Sequence, residues 1–370
     1  MNSDIIKVLR ACRKAGVTPI LWGDPGIGKS SIVETLCNQD NLPLEIVIGS
    51  VREPSDIAGL PRITSEGTVI EPPAWAKRLH EAGNGVLFLD ELSTSSPAVQ
   101  AAMLRVVLDR YVGEMKLPEG VGVIAAANPP ESAAGGWELA PPMANRLCHL
   151  NISPNVNTFY NGMTLGWDST INGEHSAANS GEDGGGKSKI RGEVASFIKK
   201  ARPSLLHAMP DNETAAGLAW PSPRTWEMTA MVLSHLDSDN DEGAILLATQ
   251  GLVGEAAAVE FLAWRKDVDL PDPDEVLAHP EIMDWNGRDD RVFAVLSAVV
   301  SAVSSSGSKP LWDQGWAVLE SCANAGKADI AAQAANDLTK CRPAGASWPK
   351  SVKAFSKVLQ ASGATSLVKD

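Results

Sequence analysis

The sequence predicts an α/β fold, a parallel sheet flanked by helices, followed by a region of helices. Three observations carry this. Apolar runs of strand length recur at Val17 to Trp22, Val86 to Leu89 and Val121 to Ala127, and near-continuous apolar runs mark parallel strands buried on both faces. Stretches with helical signals alternate with these runs, as crossover connections require. From Ile190 onward the apolar spacing is that of helices.

The first strand leads into Gly23-Asp24-Pro25-Gly26-Ile27-Gly28-Lys29-Ser30, and Ser31 to Leu36 then reads as a helix. This strand, glycine-rich loop and helix satisfy the phosphate-loop pattern at every position. The glycines let successive backbone N–H groups face phosphate oxygens, helped by the positive end of the helix. Lys29 is placed to reach the β- and γ-phosphates, and the Ser30 hydroxyl to ligate Mg²⁺. A chance Lys-Ser after a glycine turn would lack this context, so the loop predicts binding of a nucleoside triphosphate.

The second run ends in Asp90-Glu91. Two carboxylates at the carboxyl end of a central strand are suited to divide the work: Asp90 orients Mg²⁺, and Glu91 polarises an attacking water. The third run ends at Asn128, just before Pro129-Pro130. An Asn there can simply open a turn. As the third strand end facing one phosphate site, it can instead bond both the γ-phosphate and the lytic water.

Ser96 is a natural N-cap for the helix that follows, with Pro97 at its first position. Pro221 and Pro223 stop the chain ahead of a further helix, placing Arg224 in its first turn, where a cation opposes the helix dipole. Such a residue answers another demand, either contact with the γ-phosphate or an ion pair with Glu227. Trp226, Met228, Met231, Val232 and Leu233 mark the apolar face of that helix. Ala244 to Arg265 reads as one long helix. Trp285, Trp312, Trp316 and Trp348 read as helix-packing anchors.

Together these segments resemble the AAA+ ATPases, and within them the MoxR-like branch, over roughly residues 1–235. Gly23 to Ser30 is similar to Walker A, with Ser31 adjoining it at the nucleotide, Val86 to Glu91 to Walker B, and Asn128 to sensor 1. Trp220 to Thr225 resembles the sensor 2 segment, with Arg224 as its arginine. Arg146, in Ala144-Asn145-Arg146-Leu147, stands where the family carries its arginine finger. Pro54 to Glu71 contains a hairpin placed like the helix-2 insert of this branch. Two positions depart from the pattern: Asn145-Arg146-Leu147 replaces the common Asp-Arg-Phe, and Ser93-Thr94 replaces Asn-Arg. The resemblance implies ATP and Mg²⁺ as ligands and ATP hydrolysis with Glu91, Asn128, Arg146 and Arg224 taking part. It also implies a homo-oligomeric ring, usually a hexamer, in which Arg146 serves a neighbour. Such proteins commonly remodel a protein client together with a partner carrying a von Willebrand factor A domain, and some act in bacterial conflict systems. A nucleotide-gated scaffold is the alternative, and a small-molecule kinase a weaker third reading.

The expected domains are 1–150, a nucleotide-binding α/β domain; 151–266, a helical lid with a flexible Gly/Ser-rich insertion near 173–187; and 267–370, a helical extension. The Gly-Gly-Gly-Lys-Ser of the insertion has no strand before it and the wrong glycine spacing for a second phosphate loop. A net charge of −13 and a pI near 5.0 argue against generic nucleic-acid binding. Arg105, Arg110 and Lys116 read as solvated faces, the alternative being a local basic channel in an assembled ring. Five dispersed cysteines without a C-x-x-C suggest reduced thiols. The absence of a leader-like start and of a long uncharged apolar run leads to the expectation of a cytoplasmic protein without a membrane span.

Overall fold

Apolar sequence becomes buried strand wherever the chain can be covered on both sides. The computed structural model describes residues 3–65, 67–129, 137–139, 141–167, 185–238, 240–355 and 359. Its strands are β1 (Thr18–Trp22), β2 (Leu44–Ile48), β3 (Leu60–Thr64), β4 (Gly67–Glu71), β5 (Asn84–Asp90), β6 (Tyr111–Val112), β7 (Met115–Lys116), β8 (Gly120–Ala127) and β9 (Leu147–Asn151). Among the described residues five of these form one sheet in the order β2-β5-β8-β1-β9, parallel throughout. The central strands β5 and β8 are buried along almost their whole length. The edge strands β2 and β9 are only partly covered, and each carries a polar residue within it, Glu45 and His149.

Crossover helices close both faces. Helix Pro97–Asp109 is capped by the Ser96 hydroxyl, which accepts from the Val99 N–H at 3.4 Å. It sets Val99, Met103 and Val106 against Leu87, Leu89, Val123 and Ala125. The helix ends at Arg110, in the left-handed region at φ 62°. The Arg110 guanidinium donates to the Val121 carbonyl, and burial lowers its pKa. Arg110 is therefore a half-buried tether rather than the solvated side chain expected, while Arg105 and Lys116 are exposed. The expected hairpin is β3–β4, antiparallel, preceded by the short helix Pro54–Ala58.

The chain divides at Ser153/Pro154 into an α/β unit and a helical unit. At the centre of the helical unit lies Asp289–Ser306, buried from Val292 to Val303. It packs against helix Gly185–Ser196 at Gly192, where a Cβ would lie 2.6 Å from Ala298 Cα, so only glycine allows the approach. Helix Asp289–Ser306 comes from the stretch expected as an extension, and Gly185–Ser196 from the stretch expected as a lid. Tyr160 and Ser297 share a buried hydroxyl–hydroxyl bond of 2.9 Å. Trp312 and Trp316 are buried and make T-shaped contact with each other, and Trp348 packs on both. Trp285 is buried in the same core.

Two helical expectations change. Ala244 to Arg265 is two helices, Glu242–Val253 and Glu255–Val268. Gly254 separates them at φ 82°, with space for no side chain because the Ala219 carbonyl oxygen lies 2.7 Å from its Cβ position. On helix Pro223–Leu233 the buried face is Trp226, Thr229, Ala230 and Leu233, the i, i+3, i+4, i+7 spacing of one helical stripe. Met228, Met231 and Val232 fall off that stripe and are exposed. The insertion near 173–187 lies outside the described residues up to 184, and 185–187 open helix Gly185–Ser196. Among the described residues no helix is long and apolar enough to cross a membrane. None of the five cysteines is in a disulfide among the described residues, and burial pushes the Cys37 thiol up to about 12.

Candidate functional site: a phosphate loop at the carboxyl edge of the sheet

Parallel strands deliver their carboxyl ends to one edge, and β5, β8 and β1 are consecutive in the sheet. The residues that follow them therefore meet. Gly23 continues β1, its N–H bonded to the Ala127 carbonyl at 3.2 Å. A side chain at Gly23 would run into the Ile152 carbonyl oxygen, 2.6 Å from the Cβ position. Gly26 and Gly28 take φ 78° and 94°, values that L side chains rarely adopt. Gly28 is the N-cap of helix Lys29–Gln39. Asp24, Pro25 and Ile27 are partly exposed around this turn, and Ser31 is exposed on the first helical turn.

Lys29 is buried at 9% exposure. Its Nζ donates to the Gly23 carbonyl at 2.5 Å, to the Asp24 carbonyl at 3.0 Å and to Asn128 Oδ1 at 2.8 Å. The ammonium is thus folded onto its own loop and onto the end of β8. Next to it the Ser30 hydroxyl donates to Asp90 Oδ2 at 2.9 Å. These two oxygen-bearing groups make a hard donor pair of the kind Mg²⁺ takes.

Glu91 departs from ordinary backbone geometry, at φ 57° and ψ 40°. A non-glycine residue in that region costs of order 1–3 kcal/mol and persists only where its surroundings fix it. Here they do. The Glu91 N–H donates to Asp90 Oδ1 at 2.8 Å, and the Thr94 and Ser95 hydroxyls donate to the Glu91 carbonyl at 3.0 and 2.9 Å. The turn swings the Glu91 side chain towards the end of β2, where its Oε2 accepts from the Ser50 hydroxyl. A fourth strand thereby enters the site. Ser50 and Ser95 escape sequence reasoning because a lone serine after a strand has no distinguishing pattern.

The two arginines take no part in these hydrogen bonds. Leu147 pairs with Thr18 in the β1–β9 register, so Arg146 sits at the amino end of β9, at the opposite end of the sheet from Gly23. It is exposed and its guanidinium donates to the Pro142 carbonyl at 3.0 Å. Arg224 belongs to the helical unit. Ser222 and Thr225 form a capping box with Pro223 between them, so Arg224 occupies the first turn. It is exposed and makes no ion pair among the described residues. Glu227 instead accepts from the Trp167 indole N–H.

Residues 19–147 match the AAA domain family, dynein-related subfamily. The helical unit lies outside that match. The replication factor C large subunit of Ignicoccus hospitalis is 31% identical over 113 residues, which is 30% of this chain and 21% of the relative. The chain thus spans about a fifth of that relative's length. Among solved structures, NtrX from Brucella abortus in complex with ADP is 14% identical, with a TM-score of 0.36, over 83% of this chain and 63% of that one. The RuvB Holliday junction branch migration motor of Thermotoga maritima is 13% identical, with a TM-score of 0.34, over 77% and 78%.

Proposed function

We propose that this chain hydrolyses ATP, as a ring-forming AAA+ ATPase of the MoxR-like branch acting on a protein client. One observation supports this most: at the carboxyl edge of β1, β5 and β8, Lys29 is hydrogen-bonded to Asn128 and Ser30 to Asp90, with Glu91 beside them. The Lys29 ammonium bonds neutral carbonyl oxygens and an amide oxygen. Anionic phosphate oxygens would replace these uncharged acceptors and add the attraction of opposite charges. Nucleotide binding then transfers the lysine from Asn128 to the β- and γ-phosphates and leaves the Asn128 amide free to orient water. Ser30 and Asp90 are the residues that would hold Mg²⁺, whose charge offsets that of the phosphate oxygens. Glu91, once released by Ser50, takes the proton of the attacking water.

Arg146 cannot serve its own pocket. The four steps along β9 from Leu147 to Asn151 separate the two ends of the sheet by roughly 13 Å at strand rise. An arginine finger from a neighbouring copy fits this placement, and such head-to-tail contacts close into rings. A hexamer, a partner with a von Willebrand factor A domain, and division of the helical unit into a lid (151–266) carrying Arg224 and an extension (267–370) follow from the resemblance and belong to this proposal. A second reading, a nucleotide-gated scaffold or conflict-system component, draws on the Ser50–Glu91 bond, which leaves the site set for binding while the base is withheld.

Coexpression tests the ring. Glu91→Gln and Arg146→Ala rings are each expected to be inactive, the first for lack of a base and the second for lack of a finger. Mixed rings contain interfaces at which an Arg146→Ala pocket meets the intact finger of a Glu91→Gln neighbour. Activity above the sum of the separate variants is expected. A tandem single chain that pairs these two protomers in the productive order and stays inactive contradicts action in trans.

A further inference from the structure

We infer that Ser93 is a positioning residue for Asn128, and that it ties the Asp90–Glu91 turn to the lysine-holding amide. The inference rests on the hydrolytic reading of this site. The β5–β8 ladder has its last pair at Leu89↔Ala125, because β5 turns away where Glu91 enters the left-handed region. On its other side β8 stays paired with β1 as far as Trp22↔Ala127. Asn128 lies beyond both ladders, yet its backbone is held. Ser93 Oγ accepts from the Asn128 N–H at 3.2 Å and donates to the Asn128 carbonyl at 3.0 Å. One hydroxyl thus does the work of a peptide unit, supplying both an acceptor and a donor where the neighbouring strand has left.

The hydroxyl is itself fixed. Ser93 is 3% exposed, lies in the single turn Leu92–Thr94, and accepts at its carbonyl from the Trp137 N–H at 2.6 Å. Two residues upstream the same turn carries Glu91. The Asn128 side chain bonds Lys29, so a rotation of the Asn128 backbone moves the amide that receives and releases the lysine. Ser93 stands where the family pattern has Asn. An Asn side chain carries its donor and acceptor on separate atoms, whereas this hydroxyl puts both on one atom at the backbone of its target.

Ser93 should therefore act on turnover and leave affinity alone. For Ser93→Ala, with melting unchanged, the expected result is about a tenfold fall in kcat at a KM for ATP within about twofold of wild type. In an Asn128→Ala background the same substitution should have little further effect, because the group it positions is gone. Ser93→Thr, which keeps the hydroxyl, should restore activity. Hydrogen exchange at the Asn128 amide supplies a readout independent of catalysis: about tenfold faster in Ser93→Ala and restored in Ser93→Thr. Wild-type kcat with wild-type amide protection in Ser93→Ala overturns the inference, as does an equal loss in the Asn128→Ala background. If the wild-type protein turns over no ATP, the hydrolytic reading fails. Amide protection then decides alone: protection lost in Ser93→Ala upholds the positioning role, and an unprotected amide in wild type refutes it.

Discussion

Lys29 carries the plainest residue-scale consequence. Its ammonium is the side-chain cation among the residues hydrogen-bonded at the sheet edge, so Lys29→Ala should weaken ATP binding on the order of a hundredfold while the fold persists. Isothermal calorimetry checks this, and unchanged affinity would remove the loop from the site. Ser50 makes the opposite kind of prediction. Its hydroxyl occupies the Glu91 carboxylate, so Ser50→Ala should release the base and raise ATP turnover about threefold at unchanged affinity, reflecting the modest worth of one hydrogen bond. Steady-state assays at saturating ATP read the difference. Gly23 to Ser30, Asp90, Glu91 and Asn128 were legible as residues because phosphate binding demands particular side chains at fixed spacing. Ser50, Ser93 and Ser95 were not. Their hydroxyls gain meaning only when β2, β5 and β8 lie side by side, and nothing in the local sequence announces which serine will meet which partner.

At the scale of elements, burial decided legibility. β5 and β8 are covered on both faces and read as unbroken apolar runs, whereas β9, at the sheet edge, is buried only at Leu147 and then alternates between exposed and partly covered positions, and it carries no such run. Helix Pro223–Leu233 showed the converse. Its apolar residues outnumber those its neighbours can cover, so Met228, Met231 and Val232 remain exposed while Thr229 and Ala230 are buried. Periodicity from Trp226 finds the inner stripe; counting apolar residues does not. Gly254 is the break that a helical pattern conceals. With φ at 82° and the Ala219 carbonyl against its Cβ position, Gly254→Ala should destabilise the helical unit by about 2 kcal/mol. Denaturant melts followed by tryptophan fluorescence measure it, since Trp226 and Trp264 line the adjoining core. A melt equal to wild type would show that the two flanking helices can merge without strain.

For the whole molecule, the α/β architecture and the helical C-terminal region followed from the sequence, since alternation of apolar runs and helices leaves few arrangements. How the helices pack did not follow. The approach at Gly192 and Ala298 depends on two small residues more than a hundred positions apart. The Gly/Ser-rich segment gives a molecular-scale prediction. Replacing residues 173–184 by a short Gly-Ser link should preserve ATP turnover, since none of the candidate site residues lies in this stretch. Loss of turnover in a folded variant would make that segment functional. The central claim is that ATP is bound and hydrolysed at one site, with Glu91 as its base. The most direct measurement is ATP turnover, at saturating ATP and Mg²⁺, of wild type beside Glu91→Gln, with nucleotide occupancy determined on the same samples. The account predicts turnover by wild type and a loss of at least about a hundredfold in Glu91→Gln at full occupancy. Equal turnover by the two proteins, or none by a fully occupied wild type, would contradict it.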